Sequence, residues 1–313
     1  MLPMNVPVAL LLLGILTSVA APRLLARADW PDREPVVALW AWQCVVAAVL
    51  LCCGLSMTLS AAAAWQEVRG HLFSGAPHGV VEAYALGAAG PWAAPTAVTL
   101  ACGGLWTLAM LAGEVRRARR RRRVSRTELL RRAPVLPGEE PGGRLVVLEG
   151  DRPDAYWLPG ATPRLVVTTA ALRRLKGSRL DALLAHEQDH ARFRHDWLLH
   201  CSAALAGGFP QVPVFAAFRD EMHRLVELAA DDTASRRFGR VTTALALVDL
   251  NEDRGVFGPS PTPHAQLPQR VNRLLAAPPR LPAPQRLRLT ATAALVPALP
   301  VIVAFVPGLR ALH

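Results

Sequence analysis

The chain has 313 residues, 52% of them hydrophobic, with 35 Lys and Arg against 24 Asp and Glu, for a formal net charge of +11. A mean hydropathy of +0.25 excludes an ordinary soluble domain, and 19% charged residues exclude a pure bundle of membrane helices. Composition thus points to several membrane spans joined to one domain of modest size.

Stretches 1–22, 35–66, 83–113 and 289–309 carry no charged residue. Crossing about 30 Å of hydrocarbon takes roughly 20 helical residues, so each is long enough to span. Transmembrane helices are expected at about 5–22, 36–60 and 91–113, with a fourth within 288–313. The alternative for the first stretch is a cleaved signal peptide, but it lacks the basic start such a peptide carries.

Arginine placement sets the orientation. Arg23, Arg27 and Arg33 lie between the first two spans, the 67–82 loop has only Arg69, and RRARRRRR at 116–123 directly follows the third span. This places the N-terminus outside, residues 124–287 in the cytoplasm and the C-terminus outside. The basic run fits a stop-transfer anchor on anionic lipid headgroups better than a nucleic-acid site, because no recognition helix or zinc finger accompanies it. The five cysteines (Cys44, Cys52, Cys53, Cys102, Cys201) sit in apolar stretches without metal-type spacing and read as small buried hydrophobes.

In the cytoplasmic segment, RLVVLEG (144–150) and AYWLPG (155–160) read as strands, and PRLVVTTAALRRL (163–175) starts as a strand and turns helical near Thr168 or Thr169. A second helix begins near Ser178 as N-cap, with Leu180, Leu183, Leu184 and Phe193 at helical spacing. Within it stands HEQDH, 186–190. Positions i and i+4 of a helix share a face, so His186 and His190 can bind one cation, while Glu187 is free to take a proton from water. Zinc lowers the pKa of a bound water to about 7, which is what makes such a carboxylate an effective base.

The third ligand has three sources. Asp196 is six residues past His190, as in the extended HExxHxxGxxH/D form, but that form turns the chain at a glycine where this sequence has Phe193 and a continuing helix. His195 and His200 do not share the i, i+4 face. Glu227 in ELAAD (227–231), on a later helix from about Arg219 to Phe238, is favoured, with Asp231 one turn on as an orienting carboxylate. The uncharged stretch 197–218 cannot then cross the membrane, because His186 and Glu227 would face opposite sides. GGFPQVP also breaks it, so two short apolar helices are expected there.

The order AYWLPGATPRLVVTTAAL, LLAHEQDHARFRHD, ELAAD resembles the BlaR/MecR-type integral membrane zinc metallopeptidases, gluzincins related to the HtpX-type proteases. The resemblance covers roughly 140–275 in motif order and the chain in topology. It implies a multi-span α-helical membrane protein with an α+β cytoplasmic domain, made of a small antiparallel sheet and the HExxH helix. It also implies one Zn2+ held by His186, His190 and Glu227, with Glu187 as general base, and a substrate peptide pairing along the edge of Leu165, Val166, Val167 and Thr168. A His–Pro element ending in arginine is matched by His264 and Arg270 in PHAQLPQRVNRLL, although the proline precedes the histidine and Gln269 replaces the usual acid. His264 is then an oxyanion stabiliser or a loop histidine, and Arg270 a partner for a nearby carboxylate. Relatives with a penicillin-binding sensor carry it after the fourth span, where this chain ends at His313. A cytoplasmic winged-helix repressor is the implied type of substrate. The competing expectation is a non-proteolytic signal transducer in which zinc is structural.

Overall fold

The computed structural model describes residues 6–69, 145–158, 164–251, 266–276 and 278–310, with scattered positions between 99 and 124 that are all helical. Most of the third expected span, most of the arginine run, and His264 lie outside the described residues.

Among the described residues, two helices are long and apolar enough to cross a membrane: α1 (Val6–Ala26), and Pro35–Ala62 within α3 (Pro35–Arg69). They pack closely, because Gly14 of α1 leaves room for Cys52. A Cβ added there would lie 3.1 Å from the cysteine Cβ. A short helix, α2 (Trp30–Arg33), fills the connection. The fourth expected span is bent: α10 (Ala283–Leu295) and α11 (Ala298–Arg310) meet at 47°. Pro297 lacks the amide hydrogen that an unbroken helix would use there, and α10 and α11 both pack on α3. Among the cysteines only Cys44 and Cys52 are buried, while Cys53, Cys102 and Cys201 are exposed. An apolar helix has an outward face as well as a packed one, so an apolar neighbourhood in sequence does not bury them.

The sheet is mixed, and this corrects the antiparallel expectation. Strands β1 (Leu145–Leu148), β2 (Ala155–Leu158) and β3 (Arg164–Thr168) run in the order β1-β3-β2, with β1 parallel and β2 antiparallel to β3. Central β3 is occupied on both sides, so edge pairing of a peptide along Leu165–Thr168 has no free edge to use. Leu165, Val166 and Val167 are instead buried in the core. The Thr168 hydroxyl ends the strand and caps α4 (Thr169–Arg174), accepting from the amides of Ala171 and Asp154 and donating to the Arg152 carbonyl.

Helix α5 (Ser178–Arg192) starts after Gly177, whose φ of 55° suits glycine, so Ser178 is the first helical residue and not the cap. Its Ala182 and Leu183 pack with Ala155, Val167 and Leu175 beneath the sheet. Phe193 is 59% exposed, because the helix ends before it. Two further helices, α6 (His195–Gly208) and α7 (Pro213–Phe238), divide the uncharged stretch at Phe209–Val212. It forms no single crossing, and its second apolar piece is the first turns of α7, which begins earlier than Arg219. Two more helices follow, α8 (Arg240–Asn251) and α9 (Gln266–Ala276), with Leu274 of α9 packed on Ala244 and Leu247 of α8.

The largest core unites α3 with α7. Trp42, Val45, Val46 and Val49 pack with Phe215, Phe218, Met222, Leu225 and Val226, and Leu205 of α6 joins them.

Candidate metal centre

Helices α5 and α7 pack against each other, and this contact builds the centre. His186 and His190 lie one turn apart on α5, and Glu227 faces them from α7. Their potential ligand atoms all lie within 4.8 Å of one another. His186 Nε2 is 3.2 Å from His190 Nε2 and 3.5 Å from Glu227 Oε2, and His190 Nε2 is 3.4 Å from Glu227 Oε1. Two ligands of a tetrahedral ion at bond lengths of 2.0–2.1 Å stand about 3.3–3.4 Å apart, so the triangle has the size a four-coordinate ion needs. Three protein donors leave one position for a water or substrate oxygen, the pattern of reactive rather than closed structural sites. Among the described residues this is the one group of His, Cys, Asp and Glu side chains that could hold a metal ion.

Asp231 and Arg270 form the support behind the triangle. Asp231 is fully buried, and its Oδ1 lies 3.1 Å from His186 Nδ1, an ion-pair distance without good hydrogen-bond alignment. Arg270 of α9, 6% exposed, donates from Nε to Asp231 Oδ2 at 2.8 Å and from Nη2 to Oδ1 at 2.7 Å. Its Nη1 also lies 2.7 Å from Glu227 Oε2. One guanidinium therefore grips both carboxylates of ELAAD, which stand at i and i+4 on α7.

The electrostatics follow from these contacts. Burial opposes charge on Glu227 and Asp231, but Arg270 and the neighbouring histidines outweigh it. They hold Glu227 well below the usual carboxylate range and bring Asp231 down to about 2. Burial alone would lower His186, yet Asp231 and Glu227 carry it up to about 10. His190 is pushed down to about 4, chiefly by burial. The two carboxylates thus favour the protonated form of His186, and a metal ion binding at that ring competes with the proton. Glu187, half-buried beside His186, belongs to the same charge system, since its carboxylate favours the charged form of Arg270.

The other third-ligand candidates stand outside the triangle. The carbonyl of Asp196 accepts from the ring of His200. His195 lies behind His190, Nδ1 to Nδ1 at 3.0 Å, and burial together with His190 pushes its pKa down to about 3. The chain does turn after α5, but at Arg194, whose φ of 51° puts a non-glycine residue in the left-handed region. Asp189, between the two ligands in sequence, faces away from the triangle. It is buried near Thr233, one carboxylate oxygen has no hydrogen-bond partner, and burial raises its pKa.

Sequence reasoning missed three further contacts. Asp232 pairs with Arg273 Nη1 at 2.8 Å, and the Asp32 carbonyl in α2 accepts from Arg273 Nε at 2.6 Å. The Asp32 carboxylate also pairs with Arg224 of α7.

Comparison with protein-family models, with curated proteins and with solved structures returned no match, so the family resemblance stands on the motif residues alone.

Proposed function

We propose that this protein is an integral membrane zinc endopeptidase that hydrolyses peptide bonds with Glu187 as general base. The observation that carries this reading is the triangle of His186, His190 and Glu227, sized for a tetrahedral ion and open at one position, with a half-buried carboxylate on the residue next to a ligand. Zinc held there supplies a Lewis acid that brings the pKa of water near 7. Glu187 then accepts a proton at its carboxylate as water attacks the peptide carbonyl, and can return it to the leaving amine.

Arg270 and Asp231 hold the ligands in place by neutralising Glu227 and backing His186. A substrate peptide has β2 as the nearest edge, because β2 packs beside α5 and, among the described residues, pairs on one side only. The two N-terminal helices suit a membrane location, the arginine pattern suits a cytoplasmic site, and the family resemblance implies a protein substrate such as a winged-helix repressor.

The test compares cells carrying the parent protein with cells carrying Glu187→Ala, by mapping new protein N-termini. The purified variant should keep stoichiometric zinc while losing about 10²–10⁴-fold in cleavage, the usual contribution of a positioned base. Equal cleavage by the variant removes Glu187 from the role. Stoichiometric zinc with no new N-termini in parent cells favours the alternative, a signal transducer whose zinc is structural.

A further inference from the structure

His190 can act as a ligand through Nε2 only if its ring proton sits on Nδ1, and a buried N–H needs an acceptor. The group that meets Nδ1 of His190 is Nδ1 of His195, 3.0 Å away, with the two rings edge-on at 81°. We propose that His195 is a positioning residue for this centre, accepting the Nδ1 proton of His190 and so fixing its tautomer and ring angle. The proposal rests on the metal-centre reading above.

The chemistry fixes the state of His195 as well. Its Nδ1 accepts only when its own proton is on Nε2, so His195 is a neutral imidazole in this role. The two ligand histidines are therefore backed differently: His186 by the carboxylate of Asp231, His190 by an uncharged ring. Charge explains the difference. Glu187, Glu227 and Asp231 balance the buried guanidinium of Arg270 together with a divalent ion, and a further carboxylate behind His190 would add an uncompensated negative charge.

The backbone is shaped to place this ring. Arg194 takes φ 51°, and it is the only non-glycine residue with positive φ among the described residues. That conformation brings the Cβ of an L-residue too close to the following carbonyl oxygen and is strained. It ends α5 and starts α6 within two residues, so that His195, the first residue of α6, swings back under His190. His195 is 4% exposed, and Phe193 stacks on its ring with centroids 6.0 Å apart. Further along α6, Leu205 is anchored in the core shared with α3.

The experiment uses the full chain in detergent, stripped of metal, as parent, His195→Leu, His195→Asn and His195→Gln. Zinc affinity is read by competition with a chromophoric chelator, and the ligand field by the visible spectrum after Co2+ loading. Loss of a hydrogen-bond partner behind a ligand histidine typically weakens binding 10–100-fold, which is expected for His195→Leu together with a changed Co2+ spectrum. Asn places an oxygen where Nδ1 was and should restore affinity to within a few fold of the parent. Gln, which reaches the Nε2 position instead, should not. Should His195→Leu fail to fold, the Asn–Gln contrast decides by itself. Parent-like affinity in His195→Leu, or equal affinities for Asn and Gln, overturns the proposal while leaving the metal centre standing. A parent protein that binds neither ion stoichiometrically overturns both.

Discussion

Replacing Arg270 by methionine should be the most destabilising single change at the centre. Arg270 is 6% exposed and makes three short contacts, two to Asp231 and one to Glu227, at 2.7–2.8 Å. Methionine fills the space but leaves the fully buried Asp231 and most of Glu227 without their cation. Removing one partner of a buried ion pair costs about 3–5 kcal/mol, because the remaining charge stays desolvated. At roughly 2–4 °C per kcal/mol for a fold of this size, the metal-free variant should melt about 6–20 °C below the parent. Zinc should narrow that gap, since its charge replaces part of what Glu227 lost. Arg270→Lys should recover little, as one ammonium cannot reach both carboxylates in the same geometry. Arg219→Ala serves as control: its pair with Asp220 is exposed, at 46% and 66%, and should matter by less than about 1 kcal/mol. The assay is thermal unfolding of detergent-solubilised protein with chelator and with zinc. If Arg270→Met melts within about 1 kcal/mol of the parent under chelation, the buried-charge reasoning is wrong.

Glu227→Ala should abolish stoichiometric zinc binding, read by metal analysis after desalting, because two histidines alone give an incomplete site. Retention of one tightly held zinc would mean that another group supplies the third donor. Leu175→Ala, at a fully buried position between the sheet and α5, should cost about 2–5 kcal/mol. Its unfolding midpoint should fall without any change in zinc stoichiometry, and an unchanged midpoint would show that this core is not what holds α5.

The triangle was legible because its signals are local or chemically specific. The spacing of His186 and His190 is helix geometry, and Glu227 stands in ELAAD on a later helix, which in turn requires that the 197–218 stretch not cross. Asp231 and Arg270 are also legible from the motifs, and the structure joins them to each other and to the triangle. The failures share one cause: they depend on which side of an element faces a neighbour. The apolar run Leu165–Thr168 reads equally well as an edge or a centre, and only the pairing with both β1 and β2 decides it. His195 was weighed as a ligand because its chemistry suits one, but the left-handed turn at Arg194 puts it behind His190. Nothing in an Arg–His dipeptide announces that turn. The contacts of Asp32 with Arg224 and Arg273 span about 190–240 positions of chain, beyond the reach of any spacing rule.

The division at residue 124, natural from composition, does not match the packing, and this yields a last prediction. A fragment covering 124–287 keeps every ligand of the centre. It loses α3, however, whose Trp42, Val45, Val46 and Val49 cover Phe215, Phe218, Met222, Leu225 and Val226 of α7. Fully burying a large apolar side chain contributes about 1.5–3 kcal/mol, so exposing five of them to water costs on the order of 10 kcal/mol. That matches the whole net stability of an ordinary domain, about 5–15 kcal/mol. The affected residues lie on the same helix as Glu227, from the adjacent position to twelve positions away, roughly 2–18 Å at 1.5 Å per residue, so disorder there reaches the ligand itself. The fragment also loses α2, whose Asp32 holds Arg224 and Arg273. Expressed without residues 1–123, it should aggregate or expose apolar surface to a fluorescent dye, and bind zinc far more weakly than the full chain in detergent. A soluble, monomeric fragment with full-chain zinc affinity would show that the centre folds independently of the membrane helices. The shared α3–α7 core would then be a docking contact between two stable units.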